Sequence, residues 1–60
     1  MDDHAFSAEC LATAAALHDI RARLYKMMAT GLPEGSMDNI RIILVEGHAV
    51  AKALERLATE

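Results

Sequence analysis

Gly31-Leu32-Pro33-Glu34-Gly35-Ser36 divides the chain into two long runs, each repeating apolar residues every three or four positions. Glycine ends a helix readily, proline cannot continue one, and serine can cap the next by accepting from free backbone amides. The hexapeptide therefore predicts two helices with the chain folded back at Pro33. The expected fold class is all-α. It is an antiparallel two-helix hairpin, with helices at about residues 3–30 and 36–59, forming a single domain over 1–60 and dimerising into a four-helix bundle.

Working back from the turn, Phe6, Cys10, Thr13, Leu17, Ile20, Leu24 and Met27 are spaced 4, 3, 4, 3, 4 and 3 apart, an unbroken heptad seam. Asp2 or Asp3 can cap this helix, and Glu9 adds early negative charge that complements the helix dipole. Arg21, Arg23 and Lys26 fall in its last third, where the dipole favours cations. Working forward, Ser36 is the expected cap, Asp38 lies in the first turn, and Ile40, Ile43, Gly47, Val50, Leu54 and Leu57 continue the same heptad logic. Folding at Pro33 pairs Met27 with Ile40, Leu24 with Ile43, Ile20 with Gly47, Leu17 with Val50, Thr13 with Leu54 and Cys10 with Leu57. Glycine opposite isoleucine is the large-against-small fit that close packing requires. Phe6 has nothing opposite it and is expected to pack on a second chain.

Sixty residues cannot hold such a hairpin together well. A chain of this size buries only about 60% of its unfolded surface. Cys10 is the sole cysteine, which excludes an internal disulfide, and Phe6 and Tyr25 are the only aromatics. Small scaffolds in this position oligomerise. A second apolar strip, Leu11, Ala14, His18, Tyr25 and Met28 with Met37, Leu44, Ala51 and Ala58, flanks the seam. The expected dimer interface is accordingly Phe6, Leu11, Ala14, His18, Tyr25, Met28, Met37, Leu44 and Ala51. Basic residues gather toward the turn, whereas Asp2, Asp3, Glu9, Glu55 and Glu60 sit at the open end. That polarity favours two hairpins placed head to tail.

Ile40-Arg41-Ile42-Ile43-Leu44-Val45 is β-branched enough to have real strand propensity. Together with Glu46-Gly47-His48 it opens a stretch, Ile40 to Leu57, that resembles the first strand and helix of response-regulator receiver domains. The likeness covers a third of the chain. It implies a strand at 40–45 followed by an acidic pair, reduced here to Glu46 and then Gly47. The family's other strands, phosphorylated aspartate and later lysine have no room, so the resemblance assigns no functional residue. Helix is expected through 40–45, because the seam continues across it and a lone strand would have no partner.

The net charge of −3 opposes non-specific attraction to nucleic acid or an anionic membrane. The acidic start lacks the positive charge of a secretory signal, and Ile42–Val45 is far too short to span a bilayer. A free cysteine without a targeting segment suits a reducing cytoplasm. Cys10 occupies a seam position and reads as a small hydrophobe. His18 and His48 share a level and a side, where a two-fold axis could gather imidazoles into a metal or pH-sensitive contact. Without a second cysteine or a His-x-x-x-His pair, ordinary hydrogen bonding is the preferred reading, and no cofactor is expected. No phosphate loop, nucleophile motif or usefully spaced carboxylate pair appears, so enzyme activity is not expected.

These bounds lead to a small non-enzymatic protein–protein interaction module, such as a regulator, an inhibitor or anti-activator, or an adaptor. It would act as a homodimer that presents helix faces to a larger protein. Ile42 and Val45, left uncovered by the seam, are the candidate partner-binding residues. The alternative is an RNA- or DNA-binding dimer using Arg21, Arg23, Lys26 and Arg41. Glu34 and Asp38 lie beside that cluster, and only Tyr25 is available there for base stacking.

Overall fold

The computed structural model describes residues 2–60. Two helices, α1 (Asp3–Thr30) and α2 (Met37–Thr59), pack antiparallel as a hairpin. Asp2 caps α1 from an extended backbone, its carboxylate accepting from the Ala5 amide at 2.7 Å. At the other end Gly31 leaves the helix at φ 104°, and its N–H donates to the Met27 carbonyl at 3.1 Å. A side chain there would be strained, which is why glycine stands at this stop. Gly35 makes the second positive-φ step, at 85°. Ser36 opens α2 in the expected place but does not cap it with its side chain. Its backbone is already helical (φ −83°, ψ −20°), unlike the extended conformation that aims a capping hydroxyl at the free amides.

Residues 40–45 are helical, so the strand that the receiver-domain resemblance implies does not form. A strand needs a neighbour to take its backbone hydrogen bonds. In α2 those bonds are made locally, while Ile40 and Leu44 still lie on the side facing α1.

The seam differs from the heptad reading in one consistent way. Cys10, Leu17 and Leu24 on α1, and Ile40, Gly47 and Leu54 on α2, face the partner helix as expected. The alternating positions do not. The structure uses Ser7, Ala14, Arg21 and Met28 in place of Phe6, Thr13, Ile20 and Met27, and Met37, Leu44, Ala51 and Ala58 in place of Ile43, Val50 and Leu57. Each helix is turned about 50° from the expected orientation, half of the 100° step between residues. Among the described residues the buried core is Cys10, Ala14, Leu44 and Ala51.

The physical reason is size. The seam carries Ser7, Cys10 and Ala14 toward the open end of α1 and Ala51 and Ala58 toward the open end of α2, small side chains that allow two backbones to approach. Closer to the turn the seam is built of larger side chains, Leu24 and Met28 on α1 with Met37, Ile40 and Leu44 on α2. The hairpin is long and thin, 46 × 15 × 14 Å. Among the described residues no helix is long and apolar enough to cross a membrane.

Candidate interaction surface

Turning the helices leaves the two flanks of the hairpin chemically unlike. In an antiparallel pair with its seam at 7, 10, 14, 17, 21, 24, 28 and 37, 40, 44, 47, 51, 54, 58, each residue type one step off the seam meets its counterpart on the other helix. One flank thus carries Leu11, His18 and Tyr25 with Arg41, His48 and Glu55. The other carries Phe6, Thr13, Ile20 and Met27 with Ile43, Val50 and Leu57.

The first flank is closed by polar contacts. His18 Nε2 lies 3.7 Å from Glu55 Oε2, and Lys52 Nζ lies 3.7 Å from Glu55 Oε1. Nearer the turn the Arg21 guanidinium sits 5.9 Å from the centre of the Tyr25 ring. Its Nε donates to the Leu44 carbonyl oxygen at 3.2 Å. Arg21, Tyr25, Leu44, Val45 and His48 line a shallow hollow on this side. His18 and His48 do fall on one flank, but His18 faces Glu55. Among the described residues no group of three or more His, Cys, Asp or Glu side chains is placed to hold a metal ion.

The second flank has no such polar cover. Phe6, Ile20, Met27, Ile43, Val50 and Leu57 are each between 45% and 50% exposed. Thr13 stands in the same row, with its hydroxyl turned back to donate to the Glu9 carbonyl at 2.8 Å. Its donor is satisfied within α1, so the position can be covered without stranding a polar group. Periodicity alone located these residues but, Phe6 apart, assigned them to the inside of the hairpin.

The expected dimer interface is therefore divided by the structure. Ala14, Leu44 and Ala51 are at most 5% exposed, buried in the hairpin's own core, and cannot present a surface to a second copy. Met28 and Met37 are half-buried at the same seam. Leu11, His18 and Tyr25 are exposed on the mixed flank, and Phe6 lies on the opposite, apolar one. Ile42 and Val45, the candidate partner residues, are exposed at 54% and 70% and line a small apolar hollow with Arg41 and Glu46.

The basic residues do not converge. Arg21 is half-buried in the seam, whereas Arg23, Lys26 and Arg41 are exposed. At 100° per residue Arg23 borders the apolar flank, Lys26 points away from the seam, and Arg41 stands on the mixed flank. The Cys10 thiol is buried and unpaired in a disulfide. Compared with known protein families, with characterised proteins and with solved structures, the chain gives no match.

Proposed function

We propose that this chain is a small non-enzymatic interaction module, a regulator, inhibitor or adaptor, that works as a homodimeric helical bundle. One observation carries the reading: six large apolar side chains on one flank stay about half exposed, outside a core that among the described residues holds only four small or medium side chains. A hairpin so thinly packed needs further burial to hold its shape, and an apolar surface of that extent marks an association site. With one flank covered by a copy of itself, Ile42 and Val45 remain outward-facing and available to a larger protein. The divergence of Arg23, Lys26 and Arg41 counts against the nucleic-acid alternative, since a phosphate-binding face needs its cations on one side.

Sedimentation of the purified chain between micromolar and hundred-micromolar concentration tests the assembly. The expected result is a helical dimer whose helicity falls as it dissociates. A fully helical monomer throughout that range would overturn the reading. For the partner surface, Ile42→Asp/Val45→Asp should leave the dimer intact while removing capture of a larger protein by the immobilised chain.

A further inference from the structure

Building on that reading, we infer that the apolar flank is covered by a second copy running antiparallel, α1 on α1 and α2 on α2, with the two-fold axis passing beside Ala16 and Val50. The observations are the area left open, the symmetry of the exposed side chains and the charges that border them.

The area comes first. The chain exposes 4579 Å², whereas a compact monomer of 6.5 kDa exposes about 3800 Å². Its radius of gyration is 14.1 Å, against about 10 Å for a compact chain of this length. The excess, roughly 750 Å², is close to the ~800 Å² that each partner contributes to a stable interface. A copy laid along the whole flank would remove it, and a short peptide would not.

The flank is also its own complement when reversed. On α1, Phe6 and Met27 lie ten and eleven residues from Ala16, and Thr13 and Ile20 lie three and four residues from it. Running α1 antiparallel to its copy therefore sets Phe6 on Met27 and Thr13 on Ile20, a small residue against a large one. On α2, Ile43 and Leu57 each lie seven residues from Val50, so Ile43 meets Leu57 and Val50 meets itself. Both helices place the axis near the middle of the hairpin.

Charge supports the same arrangement. Glu9 and Arg23 border the flank on α1, and each lies seven residues from Ala16. The reversed copy sets each Glu9 beside the other chain's Arg23. With both turns at one end, each α1 would lie on the copy's α2 with the two α1 helices diagonal to each other, and no Glu9–Arg23 contact would form.

Cysteine cross-linking in a Cys10→Ala background, with sedimentation run in parallel, decides the matter. Val50→Cys alone should form a disulfide-linked dimer under mild oxidation. Phe6→Cys and Met27→Cys should link when the two variants are mixed, far more than either does alone. Ile43→Cys mixed with Leu57→Cys gives an independent reading if one substitution fails to fold. Linking of Ile20→Cys to Val50→Cys, with none for Val50→Cys alone, would mean a dimer with both turns at one end and would overturn the orientation. A dimer by sedimentation that links at none of these positions would overturn the flank. A folded monomer would overturn the assembly itself.

Discussion

Arg21 lies across Gly47: a Cβ built on the glycine would stand 3.5 Å from Arg21 Cδ and 3.6 Å from Cγ. From there the guanidinium reaches past the seam, bonding the Leu44 carbonyl and lying over Tyr25. The stem fills the gap where α2 has no side chain, and the charged head stays in contact with water. An arginine at a seam position is thus explained by the glycine opposite it.

The distances set the first prediction. A methyl group at Gly47 would make ordinary contact with a flexible stem, and alanine is favoured over glycine inside a helix by about 1 kcal/mol. Gly47→Ala should therefore raise stability by roughly 0.5–1 kcal/mol, a gain of several degrees in Tm for a chain of this size. Gly47→Leu should do the opposite, because its branched end would displace Arg21 from both contacts. Thermal unfolding at one fixed protein concentration compares them, and a loss of stability in Gly47→Ala would show that the glycine is needed for space.

Leu44 and Ala51 test the core separately from the assembly. Leu44→Ala should cost about 2–3 kcal/mol, the lower part of the usual range, because so thin a core can collapse around the gap. Ala51, with no exposed surface, should tolerate enlargement poorly: Ala51→Leu is expected to cost about 1–3 kcal/mol through overpacking. Leu44→Glu would unfold the hairpin itself and so says nothing about the dimer. Val50→Glu is the informative variant, since it disturbs only the open flank and should weaken association most at low concentration.

The sequence reading and the structure diverge at an instructive place. Gly31, Pro33 and Gly35 marked the turn because only unusual backbone or a missing donor can end a helix so abruptly, and those demands are local. The helix bounds followed from the same punctuation and from Asp2. The facing of the helices did not, because Phe6/Ser7, Thr13/Ala14 and Ile20/Arg21 offer two parallel rows one residue apart. Hydropathy favours the row with the larger side chains. Packing between two isolated helices favours the row with the smaller ones, since backbones can then approach. The size contrast between Ala51 and its neighbour Val50 held the information, but only in combination with Ala14, Cys10 and Ala58 across the hairpin. Arg21 would have been the hardest to place, because its role depends on Gly47 and has no signal in its own run.

The turn carries a third prediction. Gly31 adopts φ 104° and ψ 139°, a region nearly closed to other residues. No neighbouring atom lies within 4 Å of an added Cβ, so the cost of Gly31→Ala is backbone strain alone, about 1–2 kcal/mol. Asp2→Ala should cost about 1 kcal/mol by freeing the Ala5 amide. The His18–Glu55 contact, 3.7 Å between side chains that are roughly 40% exposed, should matter less. His18→Ala is expected to change stability by under ~0.5 kcal/mol. Denaturant titrations of the three variants should reproduce that order.

The border charges allow a test of orientation that leaves the apolar flank untouched. In the proposed antiparallel dimer two symmetry-related Glu9–Arg23 contacts would form, and rim pairs of this kind contribute about 0.4 kcal/mol each. Removing both by Glu9→Gln should weaken the dimer about fourfold at low salt. Screening should shrink the difference at 1 M salt, where the Debye length is about 3 Å. Glu9→Arg should weaken it further, by placing like charges together, and Glu9→Arg/Arg23→Glu should restore the original dissociation constant by exchanging the two ends of each pair. Recovery in the double variant is the decisive outcome, because a general effect of net charge would not reverse when the charges trade places. A double variant no tighter than Glu9→Arg alone would mean that these two side chains do not meet across the interface.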